Sequence, residues 1–349
     1  MKSDGRPPAR ADSPRRAFQG RVTTTDISKV VGVSQPVVSK VLNGGASNIC
    51  VSAAVREKIV RVARELGYRS NSAARAMRTG RFNCAALLLG AQRATSLLPV
   101  ALFYGLLDGL ARHAMHMTVA KLPDAKLVQD GVVPNLLADL YADGLLINYN
   151  AKIPRKLIDF VDEYRLPSVW INSKQAFDCV YPDDFDAMRR LTLHFIETGS
   201  ADVAYVGKGT WHYSSKLRRD GYLDAVQGKG LRPRMLDLKV DPEPERLACL
   251  REFLRGPKLP SAVVCYRQEE VDLVCLVCEE LGLPVGQALR LGVVHEQEVL
   301  YNRRPIPTMV LPEHELGMEA VAMLLRKIRR PEIRQDPVKV PCRLAGVEA

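Results

Sequence analysis

The spacing of apolar positions divides this chain into two regimes. From Val22 to Gly44 (VTTTDISKVVGVSQPVVSKVLNG), Ile27, Val30 and Val31 recur at helical spacing behind a Thr/Asp-rich start. The pattern predicts two short helices broken at Gly32, a residue that takes a positive φ without steric penalty. Ser34 is placed to cap the second helix, and Pro36 is tolerated there because first-turn N–H groups have no intrahelical partner. Val51–Tyr68 (VSAAVREKIVRVARELGY) carries one stripe of Val55, Ile59, Val62 and Leu66 between a Ser52 cap and a Gly67 stop. This third helix is expected to close a core on the first two, with Arg56, Lys58, Arg61 and Arg64 on its other faces.

From Cys84 the pattern becomes apolar runs alternating with helix-length segments. The strand-like runs are Cys84–Leu89, Met117–Ala120, Gly144–Asn148, Ser168–Asn172, Val203–Gly207, Ala262–Tyr266, Leu291–Val294 and finally Val338–Leu344. Helices are expected over Val100–His113, Asp183–Thr198, Leu217–Gly228, Glu269–Leu281 and Glu313–Arg330. Such alternation implies parallel sheets with helices on both faces, and two units in tandem give two lobes. Ligands of open α/β sheets bind outside the carboxyl ends of the strands, so the cleft between the lobes is the expected site.

Two short helices joined by a tight turn make a helix-turn-helix, whose second helix fits the DNA major groove; an ordinary helical hairpin has the same local pattern. Charge separates the two readings. The chain of 349 residues carries a net +11, and the first 82 residues hold 16 Lys and Arg against 5 Asp and Glu. The remainder holds 34 of each, so the whole excess lies in the segment with the helical pattern. Basic charge confined to one module marks a polyanion-binding surface. No stretch reaches the roughly 20 apolar residues of a membrane span, and no apolar run follows the basic start, so a soluble cytoplasmic protein is expected. Eight irregularly spaced cysteines in a chain of ordinary composition predict reduced thiols.

Residues 1–20, rich in Arg, Pro, Ser and Gly, are expected to form a disordered basic arm that adds phosphate contacts or is simply solvated. Ser70–Thr79 (SNSAARAMRT) is too poor in apolar residues to fold alone, yet its alanines favour helix once held. Met77 is its one large apolar side chain, suited to wedging between base steps from the minor groove; the alternative is a plain linker.

TTTDISKVVGVSQPVVSKVLNG, then VREKIVRVARELGYRSN, then AARAMRTGR resemble, in order and spacing, the lactose-repressor (LacI) family of bacterial transcription regulators. The resemblance covers 22–81 closely and the rest more weakly. It implies an α/β protein with a three-helix helix-turn-helix headpiece (21–70) and a hinge helix (71–82). A two-lobed, periplasmic-binding-protein-like effector and dimerisation domain (83–349) follows. It also implies chain crossings between lobes near Ser173–Pro182, near Thr308–Pro312 and after the Glu313–Arg330 helix. The chain departs from the family at Met77, where Leu is usual, and in a slightly longer stretch over 45–49.

On this reading Gln35, Pro36, Ser39 and Lys40 occupy the base-reading positions: Gln suits adenine, Lys suits guanine O6/N7 and Ser suits either. Asn43, Thr23 and Thr24 are expected on the backbone, and Asn71, Arg75 and Met77 complete the DNA-contacting set. In the cleft, Arg218 of SSKLRRDGYLDA matches the family arginine that holds the ligand, against the alternative of a helix-surface arginine. Asp183 matches a family aspartate near the first crossing and is equally placed to cap the helix after it. Lys208, Trp211 and Tyr213 are placed to line the ligand. Arg267 and Gln268 stand where the family commonly has Asn-Asp, and His295, beside Glu296, where it commonly has Asp. Those replacements shift the expected effector toward a carboxylated or phosphorylated metabolite such as a sugar acid.

Catalysis finds little support in the sequence. Cys275 and Cys278 form a C-x-x-C inside a helical segment with no second pair nearby, which suits buried small hydrophobes better than zinc. His113 and His116 lack an adjacent carboxylate, and VGKGTW at 206–211 is neither a dinucleotide fingerprint nor a P-loop. No enzyme activity, metal or cofactor is expected. The expectation is a homodimeric repressor on pseudo-palindromic double-stranded operator DNA, governed by a small metabolite. No heptad-bearing tail follows 338–344 to join dimers into tetramers. The alternatives are a regulator whose cleft has passed to a protein partner, and a sugar-binding module without a DNA function.

Overall fold

Three helices meet around Ile27, Val38 and Ile59, each fully buried. They are α1 (Thr24–Val31), α2 (Gln35–Asn43) and α3 (Ala53–Glu65). The computed structural model describes residues 22–43, 50–69, 76, 80–91, 96–122, 139–150, 152–207, 209, 212–238 and 243–347. The chain divides into two units, Met1–Phe82 and Asn83–Ala349. In the first, Thr23 and Asp26 close a capping box on α1, and Gly32 ends that helix at φ 80° with its N–H on the Ser28 carbonyl. Ser52 caps α3 by accepting the Val55 N–H, and beyond the helix the Tyr68 N–H returns to the Ala63 carbonyl. The stripe read from α3 joins Val31, Val37, Val41 and Leu42 in one core. Lys58 does not stand free on its face: its Nζ donates to the Val31 carbonyl at 3.1 Å, at the negative end of α1.

The second unit holds two six-stranded sheets. Its elements run β1 (Cys84–Gly90), α4 (Val100–Ala111), β2 (His116–Leu122), β3 (Gly144–Asn148), α5 (Arg155–Glu163), β4 (Ser168–Ile171), β5 (Cys179–Pro182) and α6 (Asp184–Glu197). They continue with β6 (Val203–Gly207), α7 (Tyr213–Gly228), β7 (Arg234–Asp237), α8 (Glu243–Arg255), β8 (Ala262–Cys265), α9 (Gln268–Glu280) and β9 (Arg290–His295). Last come β10 (Leu300–Tyr301), β11 (Arg304–Pro305), β12 (Thr308–Val310), α10 (Glu313–Arg329), β13 (Val338–Val340) and β14 (Arg343–Ala345). The first lobe's sheet has the order β13-β5-β4-β3-β1-β2, all parallel. The second has β14-β12-β9-β8-β6-β7, parallel except at β14. Every residue of β3, β4, β6 and β8 is buried, as strands covered on both faces require.

The chain passes between lobes three times: from β5 into α6, from β12 into α10, and from β13 to β14. The 338–344 run, read as one strand, is therefore two, each completing a different sheet. α5, α8, β5, β7, β12 and the β10–β11 hairpin were not expected; the strands among them are two to four residues long, too short to show a period. Lys327, buried near the end of α10, anchors the returning segment. Its Nζ donates to Asp178 Oδ2 at 3.0 Å and to the carbonyls of Pro331 and Ile333 at 3.1 and 3.0 Å, using all three donors of the ammonium.

α10 lies against α4 through two glycines. A Cβ on Gly105 would fall on the His314 carbonyl oxygen, and one on Gly317 would stand 2.6 Å from the Leu106 nitrogen. Backbone meets backbone there, with no side chain to yield. Gly105→Ala is expected to destabilise the protein by about 1–3 kcal/mol through overpacking, read as a lowered urea midpoint at unchanged slope.

Candidate functional site: a headpiece surface and an interlobe cavity

In the first unit, Gln35 and Pro36 are exposed at the start of α2, and Ser39, Lys40 and Asn43 are half-buried along it. Gln35 Nε2 donates to Thr24 Oγ1 at 2.9 Å, tying the start of α2 to the start of α1. The Thr23 hydroxyl donates to Asp26 Oδ2 at 2.7 Å, so it is engaged in capping before any phosphate arrives. Asn71, Arg75 and Met77, and with them the basic arm and most of the expected hinge helix (all but residues 76 and 80–82), lie outside the described residues.

In the second unit, a cavity of about 860 Å³ opens between the lobes at the carboxyl ends of the strands. Asn150 and Asn172, following β3 and β4, and Glu313, opening α10, line one side. His212, Ser214 and Arg218 at the start of α7, Tyr266–Glu269 after β8, and Val294–Glu296 at the end of β9 line the other. Arg218 is on this wall and buried, which removes the helix-surface alternative. Its Nε donates to Asp184 Oδ1 at 2.7 Å, Nη1 donates to the Tyr266 carbonyl, and the guanidinium sits 4.7 Å from the Tyr266 ring centroid. Burial pushes the Asp184 carboxyl up against the pull of Arg218, and Arg218 keeps its proton.

Asp183 does not line the cavity. Its carboxylate accepts the Asp186 N–H at 3.3 Å and caps α6, so the place on the wall falls to Asp184, the next residue round the helix. Arg267 and His295 both line the cavity. Arg267, however, is paired with Glu269 and lies 3.7 Å from the buried Glu270. His295 is held below the ordinary histidine range by burial, with Arg218 adding to the effect against Glu296. Neither arginine on the wall is thus an uncommitted cation. Lys208 and Trp211 lie outside the described residues. Tyr213 is not on the wall; its hydroxyl donates to Asn172 Oδ1 at 2.9 Å and its ring packs on Tyr181, joining α7 to the first lobe.

A relay runs along this side of the cavity. The Ser214 N–H donates to His212 Nδ1, so Nδ1 is an acceptor and the imidazole is the Nε2–H tautomer. The Ser214 hydroxyl then donates to Nδ1 at 2.6 Å, and the Tyr266 hydroxyl, 2.8 Å away, donates to Ser214. Burial, with Arg218 nearby, lowers the His212 pKa to about 4, so the ring is neutral at physiological pH. Composition and spacing singled out neither His212, Ser214, Tyr266 nor Glu313, because each becomes a site residue only when two lobes face each other. The resulting wall offers hydroxyls, amides, imidazoles and paired charges, a set suited to the many donors and acceptors of a polyhydroxylated ligand.

Elsewhere the chemistry is structural. All eight cysteines are unpaired thiols. Burial pushes Cys275 up to about 12 and Cys278 up to about 11, and both pack into the core between α9 and the second sheet. His113 and His116 are exposed. Among the described residues no group of His, Cys, Asp and Glu could hold a metal ion, and no helix is long and apolar enough to cross a membrane.

Residues 192–345 match the family model of the periplasmic binding protein-like domain. Catabolite control protein A of Staphylococcus aureus is 22% identical over 340 residues, spanning 93% of this chain and 97% of that protein. The HTH-type transcriptional regulator PtxS of Pseudomonas aeruginosa is 28% identical over 340 residues, spanning 93% and 95%. The lac repressor dimer bound to operator and the anti-inducer ONPF shares the fold with a TM-score of 0.74 at 20% identity, over 93% of this chain and 98% of that one. The transcriptional regulator CelR in complex with cellobiose gives a TM-score of 0.60 at 20% identity, over 93% and 98%. Over nearly its whole length the chain is thus similar to these transcription regulators, and it shares the fold of the lac repressor.

Proposed function

We propose that this protein is a repressor that binds a pseudo-palindromic operator as a homodimer and releases or tightens on it when a polyhydroxylated metabolite of the sugar class enters the interlobe cavity. The observation that carries this is the cavity itself, walled by both lobes, with the Arg218–Asp184 pair in its lining and hydrogen-bonding groups on either side. A ligand that bridges both walls binds one relation of the lobes better than another, and that difference is what shifts an equilibrium. A coupling of about 1–3 kcal/mol changes operator occupancy several-fold or more. Both wall arginines already carry carboxylate partners, which favours a polyhydroxylated ligand without a carboxylate over the sugar acid expected from residue types alone.

The DNA half of the reading rests on the basic charge of residues 1–82 and on the exposed start of α2. A footprint on the protein's own upstream region should show a protected two-fold site, with log affinity falling against log salt at roughly −0.9 per phosphate contact. Gln35→Ala should weaken operator binding by about 1–3 kcal/mol while leaving binding to random duplex unchanged. A uniform loss on both DNAs would remove Gln35 from base reading, and the absence of any protected site would overturn the repressor reading.

A further inference from the structure

Glu313 opens α10 with its side chain 97% removed from solvent, at 3% exposure, and its Oε2 has no hydrogen-bond partner. It lines the cavity. Two more lining residues present unpartnered acceptors, Asn150 through Oδ1 and Gln268 through Oε1, against one unpartnered donor, Arg267 Nε. A native site leaves few buried polar atoms unsatisfied, so orphans that share a cavity describe the complement of its ligand. Here that complement is rich in donors.

Charge narrows the ligand further. Of the acids on the wall, Asp184 is met by Arg218 and Glu269 by Arg267. Glu296 and Glu313 have no basic side chain within ion-pair distance among the described residues. Glu296 stands at the end of β9 in the second lobe and Glu313 at the crossing into the first, so the surplus acid faces the cavity from both sides. We propose that the effector carries an ammonium group, received by Glu313 Oε2 with Glu296 facing the same cavity from the second lobe, and that the ligand class is a polyhydroxylated amine such as an amino sugar. This rests on the reading of the cavity as an effector site and specifies its ligand.

The groups facing Glu313 explain why a charge must come from the ligand. Burial acts first, then Glu296 from β9 and Asp184 from α6, opposed by Arg218 from α7; Tyr213 on α7 and Cys342 between β13 and β14 also face it. The carboxyl is pushed up to about 8, so the empty cavity holds it protonated at neutral pH. Binding is then an exchange: the protonated carboxyl gives its proton to solvent, and the resulting carboxylate accepts a hydrogen bond from the incoming ammonium. The position at the first turn of a 17-residue helix favours that carboxylate once a counter-charge is present.

Calorimetric titration of the full chain at about pH 6.5, where sugar amines are charged, tests this with matched probes: glucosamine, glucose and glucuronate, then galactosamine, galactose and galacturonate. Within at least one trio the amine should bind about tenfold or more tighter than its partners, with close to one proton released per ligand. Proton release is read from heats in buffers of different ionisation enthalpy. Glu313→Gln should abolish both the preference and the proton release while keeping the melting transition. Glu296→Gln, which leaves Glu313 in place, should lower the number of protons released. A neutral or acidic sugar that binds at least as tightly as its amine overturns the ammonium assignment. So does failure of both amines to bind, or amine binding with no proton release. If such a neutral or acidic sugar still alters operator affinity, the regulatory reading stands without the ammonium; if no operator site is protected, the regulatory reading itself falls.

Discussion

Arg218→Met destabilises the second unit by about 3–5 kcal/mol at neutral pH, the range seen when one partner of a buried ion pair is removed. The loss does not come from the missing attraction alone. Asp184 is 1% exposed, and without the guanidinium its carboxylate keeps the desolvation cost and loses the 2.7 Å hydrogen bond that offset it. The Tyr266 carbonyl also loses its donor. The signature is therefore specific. The cost should shrink in acid, where Asp184 protonates, and should largely disappear in Arg218→Met/Asp184→Leu, which removes both charges from the same volume. Urea unfolding of the two variants at pH 5 and pH 7.5 measures this. A single-variant loss below about 1 kcal/mol, or a double variant no better than the single, would show that the pair carries little of the local stability. The same substitution is expected to remove the response of operator binding to ligand, because Arg218 sits on the cavity wall.

The second large effect concerns pH. Glu313 ionises in the folded protein near pH 8, against an ordinary glutamate value of 4.5. The folded state then holds a proton that the unfolded chain has already released, so stability falls as pH rises through that window. Below about pH 4.5 the carboxyl costs nothing extra, and above about pH 8 the whole penalty is present. The slope approaches about 1.4 kcal/mol per pH unit for one proton. Glu313→Gln removes this slope, and its advantage over the parent should grow from pH 5 to pH 8. Denaturation midpoints across that range are the measurement. Parallel pH profiles for the two proteins would show that Glu313 does not hold its proton in the empty cavity. A saturating cationic ligand should flatten the parent profile in the same way, since it supplies the charge that the fold withholds.

Arg218 shows how far residue-level reading reaches into a site. Its segment marked it as a ligand-holding residue, and it is on the wall; of the two readings open for Asp183 the structure takes the helix cap, and the carboxylate beside Arg218 is that of the next residue. Asp183 and Asp184 are chemically identical and adjacent. Asp183 is the N-cap, outside the helix, with its carboxylate turned back onto the Asp186 N–H, while Asp184 is the first helical residue and lines the cavity. A similar limit applied to the charges. By residue type Arg267 and His295 attract an anion, but Glu269 and Glu270, in the first turn of α9, face Arg267, and burial holds His295 below the ordinary histidine range. Residue identity sets which charges exist; packing decides which of them are still available to a ligand.

Local pattern alone determined a good deal of this protein. The three headpiece helices, their Thr23, Ser52 and Gly32 ends, the parallel strands with no alternation and the confinement of excess positive charge to 1–82 all depend on neighbours a few residues apart. Period, capping and turn chemistry act over that range, and they are written directly in residue order. What the tertiary structure alone decided lies where distant segments meet. The 338–344 run splits between two sheets because each lobe still needs an edge strand, and Lys327 is buried because Asp178 and two carbonyls from elsewhere in the chain converge on its ammonium. Glu313 follows the same rule. Nothing in PEHELG distinguishes a first-turn glutamate in solvent from one sealed into a cavity with other acids, and only the passage of the chain from β12 into α10 places it there.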